Sequence, residues 1–198
     1  MIIPSKIKNI NSFLDELKML GSVTVFSDMD GCIAVFNKEA SLEDTYGPSY
    51  FRNLEMDEWY DEFLKGLEER GIKVVFLSAA YGDKQAADKR LWLNEHGYEN
   101  NKLICVPYGV CKREYIQEHY PELLSDLNVL IDDFTKNLLG WQTSVTEDMP
   151  YFVGIKYINA INDTRRTWKG IRIGLADPDI SVMEVTGIIT ALLKSRAA

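Results

Sequence analysis

Six polar residues have the types and spacing that acid–base or metal chemistry requires. Five lie at or just beyond the end of an apolar, β-rich run of the sequence, namely Asp28, Asp30, Ser78, Asp132 and Asp133, and Lys112 lies on the loop that leaves another such run. Because parallel strands end at one edge of a sheet, where ligands gather, we expect these side chains to converge. Four carboxylates in a partly desolvated cleft repel one another, so their convergence favours a divalent cation or a protonated member.

The residue types also indicate which cation to expect. The carboxylates supply only oxygen ligands, and the two histidines, His96 and His119, have no ligand-like spacing. Oxygen ligands favour a hard ion, and Mg²⁺ is typically held by one or two carboxylates, waters and a substrate phosphate. We therefore expect Mg²⁺ rather than zinc. Since an Asp-x-Asp-Gly segment alone is common in turns, the prediction depends on the whole set of residues.

The elements that would position these residues alternate along the chain. Short β-rich runs predict strands at about 23–26, 72–77, 103–106, 127–131 and 152–155. Apolar residues at helical spacing predict helices at about 10–20, 57–71 and 83–96, one that opens at Lys112, and a closing helix at 180–193. This alternation predicts an α/β fold, with a Rossmann-like parallel sheet that is flanked by helices on both faces.

Composition and charge narrow the class of protein. The 198 residues are 46% hydrophobic and 26% charged, which is typical of one globular domain over 1–198 and excludes disordered and collagen-like chains. The net charge of −8 disfavours binding to polymeric nucleic acid, although local donors and a cation can still hold a small phosphorylated ligand. Three cysteines without a C-x-x-C pair, and no apolar run of about 20 residues, favour a cytoplasmic protein without membrane contact.

In chain order, the polar residues resemble the four motifs of the haloacid dehalogenase superfamily of phosphotransferases. The matching segments are Asp28-Met29-Asp30-Gly31, Ser78 after a buried strand, Lys112, and Ile131-Asp132-Asp133. Within that superfamily, residues 23–140 resemble the 5'(3')-deoxyribonucleotidases, the cytosolic type C 5'-nucleotidase family. Further matching residues carry this second resemblance: Ala34 and Phe36, Phe51-Arg52-Asn53-Leu54, Ser78-Ala79-Ala80, Lys89 with Trp92-Leu93, and Leu130-Ile131-Asp132-Asp133.

The resemblance implies a Mg²⁺-dependent phosphomonoesterase, in particular a 5'-nucleotidase that dephosphorylates (deoxy)nucleoside monophosphates. It implies that Asp28 is the nucleophile and forms an aspartyl-phosphate. Asp30 would protonate the leaving oxygen and then deprotonate the attacking water. Ser78 and the amide of Ala79 would hold the phosphoryl oxygens, and Lys112 would neutralise the charge that develops on them.

The same resemblance implies the ligands of the Mg²⁺ ion. Asp28 would offer its carboxylate, Asp30 its backbone carbonyl, and Asp132 would complete the metal shell. Asp133 would be an outer or alternative ligand. The residues leave other functions open, namely a phosphatase for another small phosphate ester or a phosphorylated macromolecule, or a metal-binding regulatory protein without activity.

The resemblance also implies a small cap, inserted after the first strand at about residues 35–56. It is too short for the helical-bundle cap of the mammalian deoxyribonucleotidases, and its rings are Phe36, Tyr46, Tyr50 and Phe51. We expect Phe36 and Phe51 to stack on a base, and Arg52 to contact a phosphate or a base edge. The alternative is that the rings form a hydrophobic cluster under the loop. A cap this small leaves room for a neighbouring subunit of a homo-oligomer to cover the cleft.

Several residues also have simpler interpretations. Ser78 could be a turn hydroxyl at a strand end, and Lys112 could be solvated, with Arg113 as the phosphate partner. We expect Lys89 to be an exposed helix lysine, although it could also contact substrate, and Trp92-Leu93 to be core. The basic, Trp-containing part of residues 154–170 is either a loop that closes over the site or an exposed connection.

Overall fold

A computed structural model describes residues 22–45, 47, 49–142, 150–159, 162, 168 and 170–174. Its strands are β1 (Val23–Ser27), β2 (Lys73–Ala80), β3 (Leu103–Pro107), β4 (Leu127–Asp132), β5 (Tyr151–Tyr157) and β6 (Ile171–Ile173). Its helices are α1 (Leu42–Thr45), α2 (Glu58–Glu69), α3 (Asp83–Glu95), α4 (Lys112–His119) and α5 (Thr135–Trp141), with 3-10 turns at Phe51–Asn53 and Pro121–Leu123. The helices predicted at 10–20 and 180–193 lie outside the described residues.

The six strands form one sheet in the order β3-β2-β1-β4-β5-β6, and every pairing is parallel. The prediction of a parallel α/β sheet flanked by helices is therefore confirmed. From β1 the chain builds outward to β2 and β3, and then returns to the other side of β1 to build β4, β5 and β6. The direction of winding changes between β1 and β4, which is where ligands of such sheets bind.

Helices cover both faces of the sheet because successive strand residues point to opposite sides. Val25 belongs to the core cluster that contains Tyr60 of α2 and Trp92 of α3. Phe26, the next residue, belongs to the cluster that contains Trp141 of α5, and Ile116 of α4 packs there too. The predicted core position of Trp92-Leu93 is confirmed, since both side chains are fully buried.

The segment predicted as a cap leaves and rejoins the domain at one place. Ala34 pairs with Met56 in an isolated antiparallel bridge, and the amide of Val35 donates to the carbonyl of Glu55 at 2.8 Å. Asp57 then begins α2 as its N-cap, because its side chain accepts a hydrogen bond from the amide of Tyr60 at 3.0 Å. Residues 35–56 thus leave the chain path after Ala34 and return at Met56, where these two residues pair.

Among the described residues, no helix has the length and apolar character needed to cross a bilayer.

Candidate active site

Three carboxylates meet at the point where the winding of the sheet changes. Asp28 follows β1, Asp132 ends the neighbouring strand β4, and Asp133 comes next. Each offers an oxygen that lies within 4.8 Å of the others. Asp28 and Asp132 are buried, with 6% and 0% of their surface exposed. The amide of Asp28 donates to the carbonyl of Ile131 at 2.9 Å, so the β1–β4 ladder itself fixes the backbone of the cluster.

Lys112, the first residue of α4, supplies a buried positive charge to this cluster. Its Nζ lies 2.7 Å from Asp132 Oδ2 and 3.1 Å from Asp28 Oδ1. Burial lowers the pKa of Lys112, but the two carboxylates outweigh that effect and raise the pKa above its ordinary value. The solvated interpretation of Lys112 is therefore wrong. Arg113 points elsewhere, with its guanidinium carbon 4.7 Å from the ring centroid of Phe152.

Asp30 lies in a second polar group, beside Ser78. The hydroxyl of Ser78 donates to Asp30 Oδ2 at 3.0 Å, and the ammonium of Lys89 also bonds that oxygen. Lys89 further donates to Ser78 Oγ at 2.8 Å and to the carbonyl of Ala79 at 2.6 Å. Ser78 lies inside β2, which continues to Ala80, so it is not a turn residue at the end of the strand. Its hydroxyl donates to Asp30.

The prediction that Lys89 is an exposed helix lysine is wrong, because only 1% of its surface is exposed. Its three ammonium hydrogens have three acceptors, namely Asp30, Ser78 and Ala79, which offset the cost of burial. A signal was present in the sequence. Lys89 precedes the core residues Trp92 and Leu93 by three and four positions, so it shares their face of α3.

Asp132 and Asp133 differ in how many protein donors they already satisfy. Asp132 Oδ1 accepts from the amide of Phe134 at 2.8 Å, and its Oδ2 accepts from Lys112 at 2.7 Å and from Asn137 Nδ2 at 2.9 Å. Asp133 Oδ2 accepts from Asn159 Nδ2 at 3.1 Å. Burial, with the charges of Asp132 and Asp28, raises the pKa of Asp133 well above its usual range. Burial raises the pKa of Asp132 as well, so the two carboxylates differ mainly in their hydrogen bonds, and Asp133 has more oxygen lone pairs left for a cation.

Two asparagines after β5 brace Asp133, and the sequence analysis did not identify them. Asn159 Nδ2 donates to the carbonyl of Gly31 at 2.8 Å as well as to Asp133. Asn162 Nδ2 donates to the backbone carbonyl of Asp133 at 3.2 Å, and the two asparagines exchange backbone-to-side-chain hydrogen bonds. Gly31 has φ +70°, and a Cβ there would overlap Asp133 Oδ2. The only sequence signal was an Asn-x-x-Asn pattern directly after a strand.

The predicted substrate residues have different surroundings. Phe51 is 1% exposed and packs edge-on against Trp92, with ring centroids 5.7 Å apart. This ring is therefore part of a hydrophobic cluster, which is the alternative to stacking on a base. Arg52 forms an exposed ion pair with Glu95 at 2.7 Å. Phe36 is half-buried and lines a cavity of about 560 Å³ together with Tyr50. Tyr46 lies outside the described residues.

Within the 154–170 segment, Trp168 is a core residue rather than part of a lid. It is 4% exposed, and its indole donates to the carbonyl of Ile171 at 2.9 Å. Its basic neighbours Arg165 and Arg166 lie outside the described residues.

The partners of the two adjacent carboxylates predict different defects for their variants. We expect Asp133→Asn to weaken Mg²⁺ binding by more than about 10-fold, and Asp132→Asn to weaken it less. This order is the reverse of the one that the sequence resemblance implies. Asp132→Asn should instead cost about 3–5 kcal/mol of stability, because it removes a buried partner of Lys112. Calorimetric titration with Mg²⁺ measures the change in binding, and unfolding by urea measures the change in stability. If Asp133→Asn binds Mg²⁺ more tightly than Asp132→Asn does, Asp132 is the principal ligand.

Comparison with protein-family models and with curated proteins found no match for this chain.

Proposed function

We propose that this protein is a Mg²⁺-dependent phosphomonoesterase of the haloacid dehalogenase type, and that it dephosphorylates (deoxy)nucleoside monophosphates. One observation carries the proposal. Asp28 lies beside the buried ammonium of Lys112, while Asp30, two residues later, lies in a separate group with Ser78 and Lys89. Two neighbouring aspartates with such different partners are suited to two different roles, as nucleophile and as proton carrier.

The surroundings of Asp28 suit a nucleophile. Its side chain is buried, and Oδ1 lies 3.1 Å from Lys112 Nζ but makes no hydrogen bond with the described residues. In the first step, a carboxylate oxygen of Asp28 bonds to phosphorus as the bond from phosphorus to the leaving oxygen breaks. Lys112 offsets the negative charge of the phosphoryl oxygens in that step. The hydroxyl of Ser78 donates its one hydrogen to Asp30 and so holds the proton carrier in place.

The surroundings of Asp30 suit a proton carrier. Its side chain is 38% exposed and so accessible from solvent, while Lys89 and Ser78 both hold its Oδ2. Asp30 gives its proton to the leaving oxygen in the first step. In the second step it takes a proton from water, whose oxygen bonds to phosphorus and releases Asp28 and inorganic phosphate. Lys89 acts through Asp30 by holding its carboxylate in place.

The three clustered carboxylates fit an oxygen-liganded cation such as Mg²⁺, since each offers an oxygen within 4.8 Å of the others. Asp28 and Asp133 would hold it, with the carbonyl of Asp30 and the more heavily bonded Asp132 as further candidates. When bound, Mg²⁺ neutralises the charge on the carboxylates and on the phosphate, which otherwise repel each other.

A panel of phosphate esters assayed with Mg²⁺ tests the proposed function. The panel contains nucleoside 5'- and 3'-monophosphates, sugar phosphates, p-nitrophenyl phosphate and a phosphopeptide. We expect hydrolysis, with the highest kcat/KM for nucleoside monophosphates. A preference for sugar phosphates or the phosphopeptide would contradict the nucleotidase assignment and leave a phosphatase. If no ester is hydrolysed, both the nucleotidase and the phosphatase assignments are contradicted.

A further inference from the structure

A cleft lies next to the carboxylate cluster, on the side of β3 and β4, and Lys112 belongs to both. Its cavity is about 280 Å³, and its walls include Ala79 and Lys112, both of which belong to the site described above. Tyr108 and Phe134, from the loops that follow β3 and β4, form further walls, and α5 closes another side. We propose that this cleft, rather than the rings of the cap segment, binds the leaving group of the substrate. It selects substrates whose leaving group carries a flat aromatic ring. The inference rests on the proposed function.

The aromatic rings of this cleft are unusually exposed. Tyr108 is 64% exposed and Phe134 57%, whereas Phe51 of the cap segment is 1% exposed. Tyr81, 47% exposed, stacks on Tyr108 with ring centroids 4.1 Å apart and planes 25° apart. Large apolar side chains grouped on a surface commonly mark a binding site. A stacked pair of rings also presents a flat face on which another planar ring can continue the stack.

Backbone hydrogen bonds tie both rings to the reactive group. The amide of Phe134 donates to Asp132 Oδ1 at 2.8 Å, so the turn that holds Asp132 also directs Phe134 outward. The amide of Tyr108 donates to the carbonyl of Ala80 at 3.1 Å, two residues beyond Ser78. Binding platforms attached to a rigid backbone lose little conformational entropy when a ligand arrives.

The polar groups of the cleft refine the class of ligand. Lys136 and Asn137 of α5 lie on its wall, and Asn137 also bonds Asp132 Oδ2 at 2.9 Å. Lys136 is exposed and adds a donor and a positive charge beside the apolar rings. This combination suits a heteroaromatic ring that carries oxygen or nitrogen acceptors, such as a nucleobase, better than a hydrocarbon.

Calorimetric titration of the Mg²⁺-loaded protein with nucleosides tests the subsite without turnover, because nucleosides have no phosphate to release. Ribose is the ligand control. The variants are Tyr108→Ala and Phe134→Ala, with Leu139→Ala as the matched control, since Leu139 is 68% exposed on α5 and does not line the cleft. Phe36→Ala tests the cap segment as the alternative location.

We expect nucleosides to bind more tightly than ribose, and each ring variant to weaken nucleoside binding by about 10-fold while Leu139→Ala leaves it unchanged. The same variants should raise KM for a nucleoside monophosphate and not for ribose 5-phosphate. Unchanged nucleoside binding in both ring variants, or a loss only in Phe36→Ala, would overturn the inference. Ring-dependent nucleoside binding without hydrolysis of any ester would support the subsite and contradict the phosphatase assignment.

Discussion

Asp28→Asn is expected to reduce phosphoryl transfer from every ester by at least about 10⁴-fold, because it replaces the attacking carboxylate with a neutral amide, which is a poor nucleophile. The substitution preserves shape, and Lys112 keeps its shorter ion pair with Asp132 at 2.7 Å, so the protein should remain folded, which circular dichroism checks. No phosphoenzyme should form. Asp83→Asn, at the exposed first residue of α3, is the matched control and should retain full activity.

Asp30→Asn should lose activity in a way that depends on the leaving group. The variant keeps the nucleophile but has no proton for the leaving oxygen. A nucleoside 5'-oxygen leaves poorly as an alkoxide, whereas p-nitrophenolate leaves readily without a proton. The rate of phosphoenzyme formation, measured by rapid quench, should therefore fall less for p-nitrophenyl phosphate than for a nucleotide. Equal losses in the rate of phosphoenzyme formation from both esters would show that Asp30 is not the proton donor.

Chelation of divalent cations is also expected to have a large effect. In metal-free buffer with EDTA we expect activity to fall by more than about 100-fold, because Asp28, Asp132 and Asp133 crowd the approach of a phosphate dianion. Added Mg²⁺ should restore the activity. It should also stabilise the fold, by about 2.7 kcal/mol at a concentration 100 times its Kd.

Circular dichroism before and after chelation separates loss of the cation from loss of the fold. Full activity after exhaustive chelation would contradict the assignment of a metal-dependent reaction. A rise in Tm that needs no more Mg²⁺ in Asp133→Asn than in the unsubstituted protein would contradict the assignment of Asp133 as a principal ligand.

The parallel sheet was predictable because its signals are local. Buried strands such as Val23–Ser27 are short β-rich runs, and each is followed by a turn or a helix pattern. Convergence of Asp28 with Asp132 then follows from topology, since β1 and β4 are parallel neighbours. Strand β6 has only three residues, Ile171–Ile173, and so it produced no usable pattern.

What the sequence could not provide was the orientation of individual side chains. Lys89 was assigned to the surface on residue type, although its spacing to Trp92 placed it on the buried face of α3. Phe51 is expected to stack on a base because an aromatic ring in a cap beside a phosphate site can do so, yet its ring packs on Trp92. Asn159 reaches Asp133 only through the pairing of β4 with β5, a contact between distant parts of the chain.

The most direct test of the account is to trap the phosphoenzyme in Asp30→Asn. That variant lacks the base that activates water in the second step, so p-nitrophenyl phosphate with Mg²⁺ should leave an intermediate that accumulates. Acid quench, proteolysis and mass spectrometry should then find one phosphoryl group, on the peptide that contains Asp28, and none in the double variant with Asp28→Asn. A phosphoryl group on another residue, or release of phosphate with no labelled peptide, would contradict the proposed mechanism.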